Sequence, residues 1–208
     1  MAQEKIKMIW LVGDSHTNLF RDIPNKRWKS IHLGAPTAYH LENYDEFWKF
    51  VQFTMEPEDT VIPVVGEIDC RTHICYQAKL QGHSFSVGVM DTILHFDHVL
   101  SRLRDMNISF AVWNVIPAGH WTQDLVFKKK YHIAPIADRI AIHTMYHEML
   151  ALWCQEHLYS IVDIWDKIIG PDGHTKRELK PDEVHLSAKC LPFYIEEFKK
   201  LGLWPESD

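Results

Sequence analysis

The chain has 208 residues, 46% of them hydrophobic and 24% charged, which is the ordinary composition of a globular protein with a buried core. With 22 Lys and Arg against 28 Asp and Glu, the formal charge of −6 gives no basic surface of the kind that binds nucleic acid or anionic membranes. No apolar run approaches the ~18 residues that span a bilayer, and the N-terminal sequence lacks a signal-peptide pattern, so we expect a cytoplasmic protein. The four Cys residues are scattered, which predicts neither a zinc site nor a disulfide framework.

Apolar, β-prone runs alternate with segments of helical periodicity along the whole chain. Strands are predicted over residues 5–12, 30–33, 60–65, 108–116 and 160–164. Helices are predicted over residues 44–53, 87–105, about 135–157 and about 188–201. This alternation favours a parallel sheet covered by helices on both faces. Because no linker or internal repeat interrupts it, we expect a single α/β domain over residues 1–208.

Polar residues of the kinds used in catalysis and binding follow the predicted strands. In open parallel sheets, ligands bind outside the carboxyl ends of the strands. The residues that fall there are Asp14, Ser15, Gly34, Glu67, Asp69, Arg71, Asn114, Asp182 and His185. The sequence therefore predicts a site at this edge of the sheet.

Three residues have the side chains that nucleophilic catalysis needs. Ser15 can act as the nucleophile, His185 as the base and Asp182 as the acid that orients this base. A serine hydroxyl is a weak nucleophile until a base removes its proton, and that base works best when a third group fixes its tautomer. Asp182-x-x-His185 places a carboxylate and an imidazole three residues apart. In one tight turn, the carboxylate can hold His185 Nδ1 and leave Nε2 free for Ser15.

The chain resembles the SGNH (GDSL-like) hydrolase family in four blocks. These are GDSHT at 13–17, Gly34 after the second strand, Gly66-x-x-Asp69 after the third, and PDEVHLS at 181–187. The resemblance implies a flavodoxin-like three-layer α/β/α sandwich with a parallel sheet of about five strands, and ester hydrolysis without a metal or other cofactor. It also implies that Ser15 is the nucleophile, His185 the base and Asp182 the residue that orients His185. The backbone N–H groups of Ser15 and Gly34 would form part of the oxyanion hole.

The third block departs from the family pattern, in which an Asn side chain donates to the oxyanion. Ile68 stands at that position and has no donor. Arg71 is the first candidate for a replacement, with His73 or Asn114 as alternatives. Arg71 could instead bind a substrate carboxylate or sugar hydroxyl, or pair with Glu67 or Asp69.

The expected substrate is a small-molecule or glycan ester with a small acyl group, an O-acetyl group first. Substrate contacts are predicted for Glu67, Asp69, Arg71 and Asn114, and Trp121 is a candidate for stacking on a sugar ring. No nucleic-acid or membrane partner is expected, and the sequence does not indicate an oligomeric state.

Two other functions compete with esterase activity. The motif Asp14-x-His16 is also the first metal-binding motif of metallophosphoesterase sequences, although the chain lacks the later metal-binding blocks of that class. With Ile68 in the third block, the chain could also be a relative that binds without catalysis. The pairs His143/His147 and His95/His98 have spacings that can bind zinc, but we expect surface histidines on helices.

Overall fold

The computed structural model of the chain describes residues 7–23, 25–120, 134–182 and 184–204. Its strands are β1 Ile9–Gly13, β2 Trp28–His32, β3 Thr60–Val64, β4 Ser109–Phe110, β5 Val112–Trp113 and β6 Ile161–Val162. Its α-helices are α1 Asp45–Phe53, α2 Ile74–Gln81, α3 Phe85–Asp105, α4 Ile136–His157, α5 Trp165–Ile168 and α6 Leu191–Lys200. Shorter helical turns are the 3₁₀ turns Ser15–Phe20, Leu41–Asn43, Arg177–Leu179 and Ala188–Cys190, and a π-helical turn Asp69–His73.

The strands pair in parallel, as the alternation of elements predicted. Four of them form a sheet in the order β2-β1-β3-β4, and β5 pairs separately with β6. Ala111 alone separates β4 from β5, and its N–H donates to the Val61 carbonyl in β3. The main sheet therefore has slightly fewer strands than the five expected, with the β5–β6 pair extending from its β4 edge.

Side chains alternate between the two faces of the sheet and build two separate hydrophobic clusters. In β1, Val12 belongs to one cluster and Leu11 to the other. Helices α1 to α4 supply the first cluster with residues such as Phe47, whereas α6 and the 3₁₀ turn Ser15–Phe20 supply the second. A sheet buried on both faces in this way is the middle layer of an α/β/α sandwich. None of the helices in the described ranges is long and apolar enough to cross a membrane.

The structure differs from the predicted elements in two places. The single strand predicted over 108–116 is divided, because its first part, β4, pairs with β3, whereas the chain pairs with β6 from Val112. Helix α2 was not predicted, since its sequence ICYQAKLQ has no clear apolar stripe.

Candidate active site

Ser15 is held at the end of β1 by a tight strand-to-helix turn. A side chain at Gly13 would put its Cβ 1.9 Å from the Val64 carbonyl oxygen, so the close contact between β1 and β3 requires glycine there. Asp14 then caps the 3₁₀ turn: its Oδ1 accepts from the His16 N–H at 2.9 Å, and its carbonyl accepts from Thr17 Oγ1 at 2.8 Å. These contacts place Ser15, half-buried, at the first position of the turn.

The turn that carries Asp182 and His185 presents an imidazole to Ser15. Asp182 Oδ1 accepts from the backbone N–H groups of Val184 and His185, both at 2.7 Å, and Oδ2 lies 2.8 Å from His185 Nδ1. Because an ionised carboxylate only accepts, His185 Nδ1 carries a proton and Nε2 of the neutral ring is an acceptor. His185 Nε2 lies 2.8 Å from Ser15 Oγ. The three side chains therefore form a continuous hydrogen-bonded chain that can move a proton from Ser15 to His185.

The Asp182 carboxylate is held in its charged form. Burial would raise its pKa, but the hydrogen bonds from the backbone and ring of His185 and from the Val184 N–H lower the pKa to about 2. With 53% of its side chain exposed, water also solvates the charge. Asp182 thus stays ionised across the working range of a histidine base and can stabilise its protonated form.

Asp69 fixes the loop that carries Gly34. Gly34 has a φ of +96°, a conformation that favours glycine, at the start of the loop after β2. Asp69 Oδ2 accepts from the Ala38 N–H at 2.7 Å and Oδ1 from the Tyr39 N–H at 3.3 Å. Asp69 has no exposed surface, and this burial raises its pKa to about 7. Its position does not support the predicted substrate contact and makes it a residue that positions the Gly34 loop.

Glu67 and Arg71 form an ion pair, one of the alternatives that the sequence left open. Arg71 Nε lies 3.0 Å and 3.2 Å from the two Glu67 carboxylate oxygens. Burial raises the pKa of Glu67, but Arg71 and His16 outweigh it and hold that pKa below its usual value. Lys180, which the sequence did not single out, also lies near Glu67, and burial lowers its pKa to about 8. Glu67 therefore holds Arg71 through Nε, beside an Ile68 that has no side-chain donor.

Asn114 is 3% exposed, and hydrogen bonds within the protein occupy its side chain. Its Nδ2 donates to Asp163 Oδ2 at 2.9 Å and to the His147 carbonyl at 3.3 Å, and its Oδ1 accepts from the Val115 N–H. These bonds tie the end of β5 to the segment after β6. Trp121, the predicted stacking residue, lies outside the described residues.

An apolar cavity of about 450 Å³ opens beside the hydrogen-bonded chain. Ser15 and His185 border it together with Asn18, Leu19, Asp22, Trp113, Pro181, Leu186, Ala188 and Leu191. Trp113 packs in the core, with its ring centroid 4.6 Å from that of Tyr194. The cavity was not predicted, although the apolar residues after the Asp-x-x-His motif indicate an apolar surface beside it.

The histidine pair on α4 is not at the surface, contrary to the prediction. His143 is 1% exposed, its Nδ1 lies 2.9 Å from the Ile116 carbonyl oxygen, and burial lowers its pKa to about 4. His147 Nε2 lies 2.7 Å from Asp163 Oδ2. By contrast, His98 on α3 is 60% exposed, as predicted.

Two clusters in the described residues bring together enough ligand atoms to hold a metal ion. They are Glu42/His95/His98 and His120/Asp172/His174. Neither contains Asp14 or His16, whose Oδ1 and Nδ1 atoms are 3.0 Å apart and bonded to each other. The structure of this pair therefore does not support the metallophosphoesterase alternative.

Comparison with known proteins identifies the fold. No family model matches the chain, and no curated protein does. Among solved structures, a GDSL-like lipase from Bacteroides thetaiotaomicron VPI-5482 matches 98% of this chain and 91% of its own, with a TM-score of 0.64 and 10% identity. A member of the lipolytic protein G-D-S-L family from Veillonella parvula DSM 2008 matches 94% of this chain and 97% of its own, with a TM-score of 0.55 and 13% identity. The chain has the SGNH (GDSL-like) hydrolase fold.

A third structure with this fold is an acetyl xylan esterase, which matches 94% of this chain and 98% of its own at 13% identity and a TM-score of 0.53. Identities this low show a common fold and nothing finer. One fold can carry many activities, so the function has to be argued from the geometry of the site.

Proposed function

We propose that the protein is a serine esterase that works through an acyl-serine intermediate. The observation that carries this proposal is the hydrogen-bonded chain from Ser15 Oγ to His185 Nε2 and from His185 Nδ1 to Asp182, with 2.8 Å at each step. A hydroxyl, an imidazole and a carboxylate in this order are the groups that nucleophilic acyl transfer needs.

In the first half-reaction, His185 Nε2 takes the Ser15 proton as Oγ attacks the ester carbonyl carbon. The bond to the alcohol oxygen then breaks, and His185 returns the proton to the leaving alcohol. In the second half-reaction, water attacks the acyl-serine, His185 takes its proton, and the acid leaves as Ser15 Oγ regains a proton. Asp182 stabilises the imidazolium that forms in both steps.

The negative charge on the carbonyl oxygen needs donors that are in place before the reaction. In this proposal, they are the backbone N–H groups of Ser15 and Gly34. Arg71, whose Nε atom is held by Glu67, is the candidate for an additional donor. Ile68 supplies no side-chain donor.

The proposed substrate is a small-molecule or glycan ester with a small acyl group, O-acetyl first. The half-exposed Asp182 and His185 support this proposal, because a catalytic turn near the surface can reach an ester group on a bulky molecule such as a carbohydrate. The apolar cavity beside Ser15 favours a second candidate, an ester with a hydrocarbon group of medium length.

The first experiment measures hydrolysis of a small activated acetate ester by the wild-type protein with and without EDTA, and by Ser15→Ala. We expect Ser15→Ala to lower kcat by ~10³-fold or more, and EDTA to leave the rate unchanged. Ser86→Ala, which removes an exposed hydroxyl on α3, is the matched control and should keep wild-type activity. Hydrolysis that survives in Ser15→Ala, or its absence from every sample, contradicts the proposal, and the second result favours a binding function.

A second experiment decides between the two substrate candidates. Esters of one alcohol with acyl groups of increasing length are compared in wild-type protein and in Ala188→Phe, which narrows the cavity. If the cavity holds a hydrocarbon group, kcat/KM rises with chain length and Ala188→Phe removes the rise. If the acetyl ester is preferred and Ala188→Phe has little effect, a small acyl group is supported.

A further inference from the structure

His16 follows the proposed nucleophile directly, and the reaction steps above do not use it. It is 5% exposed, and both of its ring nitrogens face oxygen atoms. Nδ1 lies 3.0 Å from Asp14 Oδ1, and Nε2 lies 3.3 Å from the carbonyl oxygen of Val184. A carboxylate and a carbonyl only accept hydrogen bonds. A neutral imidazole has one N–H and satisfies one of them, whereas an imidazolium has two and satisfies both.

The Val184 carbonyl belongs to the turn that presents His185. Val184 lies between Asp182 and His185, and its own N–H donates to Asp182. The His16 contact therefore joins the turn after β1, which holds Ser15, to the turn that holds the base. Residues 16 and 184 are 168 positions apart in sequence, so this bond is made by the tertiary fold alone.

We propose that His16 is a positioning residue, a buried imidazolium that ties the turn of residues 182–185 to the turn carrying Ser15. This rests on the proposed function, since it explains how the distance from Ser15 Oγ to His185 Nε2 is kept short. A displacement of about 1 Å between reacting groups can lower a rate about 10²-fold.

The charges around His16 favour its protonated form. Asp14 faces it from its own turn, Glu67 from the segment after β3, and the His185 ring lies 5.4 Å away between centroids. Burial lowers the pKa of His16, but the charge and hydrogen bond of Asp14, the charge of Glu67 and the Val184 carbonyl together raise the pKa above its usual value. When His185 takes a proton during the reaction, the Asp182 carboxylate balances its positive charge. The Asp14 carboxylate balances the positive charge of His16.

Because the proposed role needs the imidazolium form of His16, we expect a loss of activity at alkaline pH. As the pH rises through the raised pKa, His16 loses one proton, and the remaining N–H stays with the Asp14 carboxylate, the stronger acceptor. The lone pair of Nε2 then faces the Val184 carbonyl oxygen, and the contact between the two turns is lost. A histidine base alone gives a rate that rises with pH to a plateau, so we expect a bell-shaped profile here, with a fall in kcat and little change in KM.

Two substitutions at His16 separate its two contacts. In His16→Gln, the amide nitrogen reaches the position of Nε2 and donates to Val184 at any pH. In His16→Asn, the amide nitrogen takes the position of Nδ1 and keeps the contact with Asp14 alone. We expect His16→Gln to keep kcat within about threefold of wild type and to lose the alkaline fall, and His16→Asn to lower kcat by about 10- to 100-fold. His98→Gln, an exposed histidine, is the matched control and should keep the wild-type profile.

The proposal is overturned if the wild-type rate shows no alkaline fall, if His16→Gln keeps that fall, or if the Gln and Asn variants are equally active. A readout that needs no activity is the ¹⁵N NMR spectrum of the His16 ring in wild-type protein at neutral pH. Both ring nitrogens should carry a proton there. A singly protonated ring refutes the proposal even if the protein hydrolyses esters, and a doubly protonated ring supports it even if no ester is hydrolysed.

Discussion

Two carboxylates near the candidate site, Asp182 and Asp69, each accept two backbone N–H bonds, yet their pKa values lie far apart. Asp182 is half-exposed and bonded to His185, and its pKa is lowered to about 2. Asp69 has no exposed surface, and burial raises its pKa to about 7 despite its bonds from Ala38 and Tyr39. Two backbone hydrogen bonds are therefore not enough to keep the pKa of a carboxylate low. At Asp182, partial exposure leaves a small burial effect and the His185 ring adds a third hydrogen bond, whereas at Asp69 the effect of burial outweighs the hydrogen bonds.

Glu67 is a third carboxylate, and it shows the effect of nearby cations on the pKa separately from the effect of exposure to water. It is nearly as buried as Asp69, but Arg71 and His16 face it, and its pKa is lowered. A buried carboxylate therefore keeps its charge where cations surround it. The chain uses the charged Asp182 to orient a base and the buried Asp69 to fix a loop.

Among the variants of these carboxylates, Asp182→Asn should have the largest effect on activity. The amide oxygen can still accept the two backbone N–H bonds, but it no longer holds His185 in the required tautomer or stabilises the imidazolium. We expect kcat to fall by ~10²–10⁴-fold, while the free energy of unfolding changes by less than about 1 kcal/mol because the side chain is half-exposed. Steady-state kinetics and chemical unfolding measure both, and a fall in kcat below tenfold would contradict the role of Asp182.

Asp69→Ala should have a large effect on stability, in contrast to Asp182→Asn, whose main effect is on kcat. It leaves the Ala38 and Tyr39 N–H groups without partners in a buried position and opens a cavity. We expect a loss of about 2–4 kcal/mol in the free energy of unfolding. Glu46→Ala, at an exposed acidic position of α1, is the control and should change stability by less than about 0.5 kcal/mol. Equal stability of the two variants would show that Asp69 does not hold the loop.

The pH dependence of stability tests the raised pKa of Asp69. Between the ordinary value of 3.8 and about 7, the folded state binds more protons at Asp69 than the unfolded state. This group therefore adds stability that is fully present at low pH and is lost as the pH rises through that window, by up to about 1.4 kcal/mol per pH unit. Subtracting the unfolding profile of Asp69→Asn from that of wild type isolates the contribution, and a flat difference would argue against it.

The smallest effect is expected for Arg71→Gln. If the backbone donors carry the oxyanion, kcat should fall by less than about tenfold, well short of the ~10²–10³-fold that a full oxyanion donor supplies. Loss of Arg71 should also raise the pKa of Glu67, which NMR titration of the carboxyl carbon can follow. A larger fall in kcat at constant KM would show that Arg71 donates to the oxyanion. A rise in KM alone would show that Arg71 binds the substrate.

A double variant tests directly whether Arg71 and Glu67 interact. Arg71→Gln leaves Glu67 with one counter-charge fewer, whereas Arg71→Gln with Glu67→Gln removes both charges. We expect the double variant to be more stable than the sum of the single effects predicts, because the buried carboxylate is then gone. Additive effects would show that the two side chains do not interact in solution.

Local patterns were enough to predict the first three strands, helices α1, α3 and α4, and the parallel arrangement of the sheet. They also gave Ser15 and Asp182-x-x-His185, because a strand-to-helix turn and a three-residue spacing are local features. The division of the strand over 108–116 was not predictable, since the change of partner at Ala111 depends on where β6 lies. Burial of His143 was missed for a similar reason, because its acceptor, the Ile116 carbonyl, comes from another part of the chain.

The sequence by itself determined the alternation of strands and helices and the identities of the three groups in the proposed triad. These follow from residue type and spacing along the chain. The tertiary structure decided that Asp69 and Asn114 are interior anchors, that Arg71 pairs with Glu67, and that His16 reaches Val184. The physical reason is that the charge and role of a polar side chain depend on its exposure and its neighbours, and only the packed fold brings distant residues together.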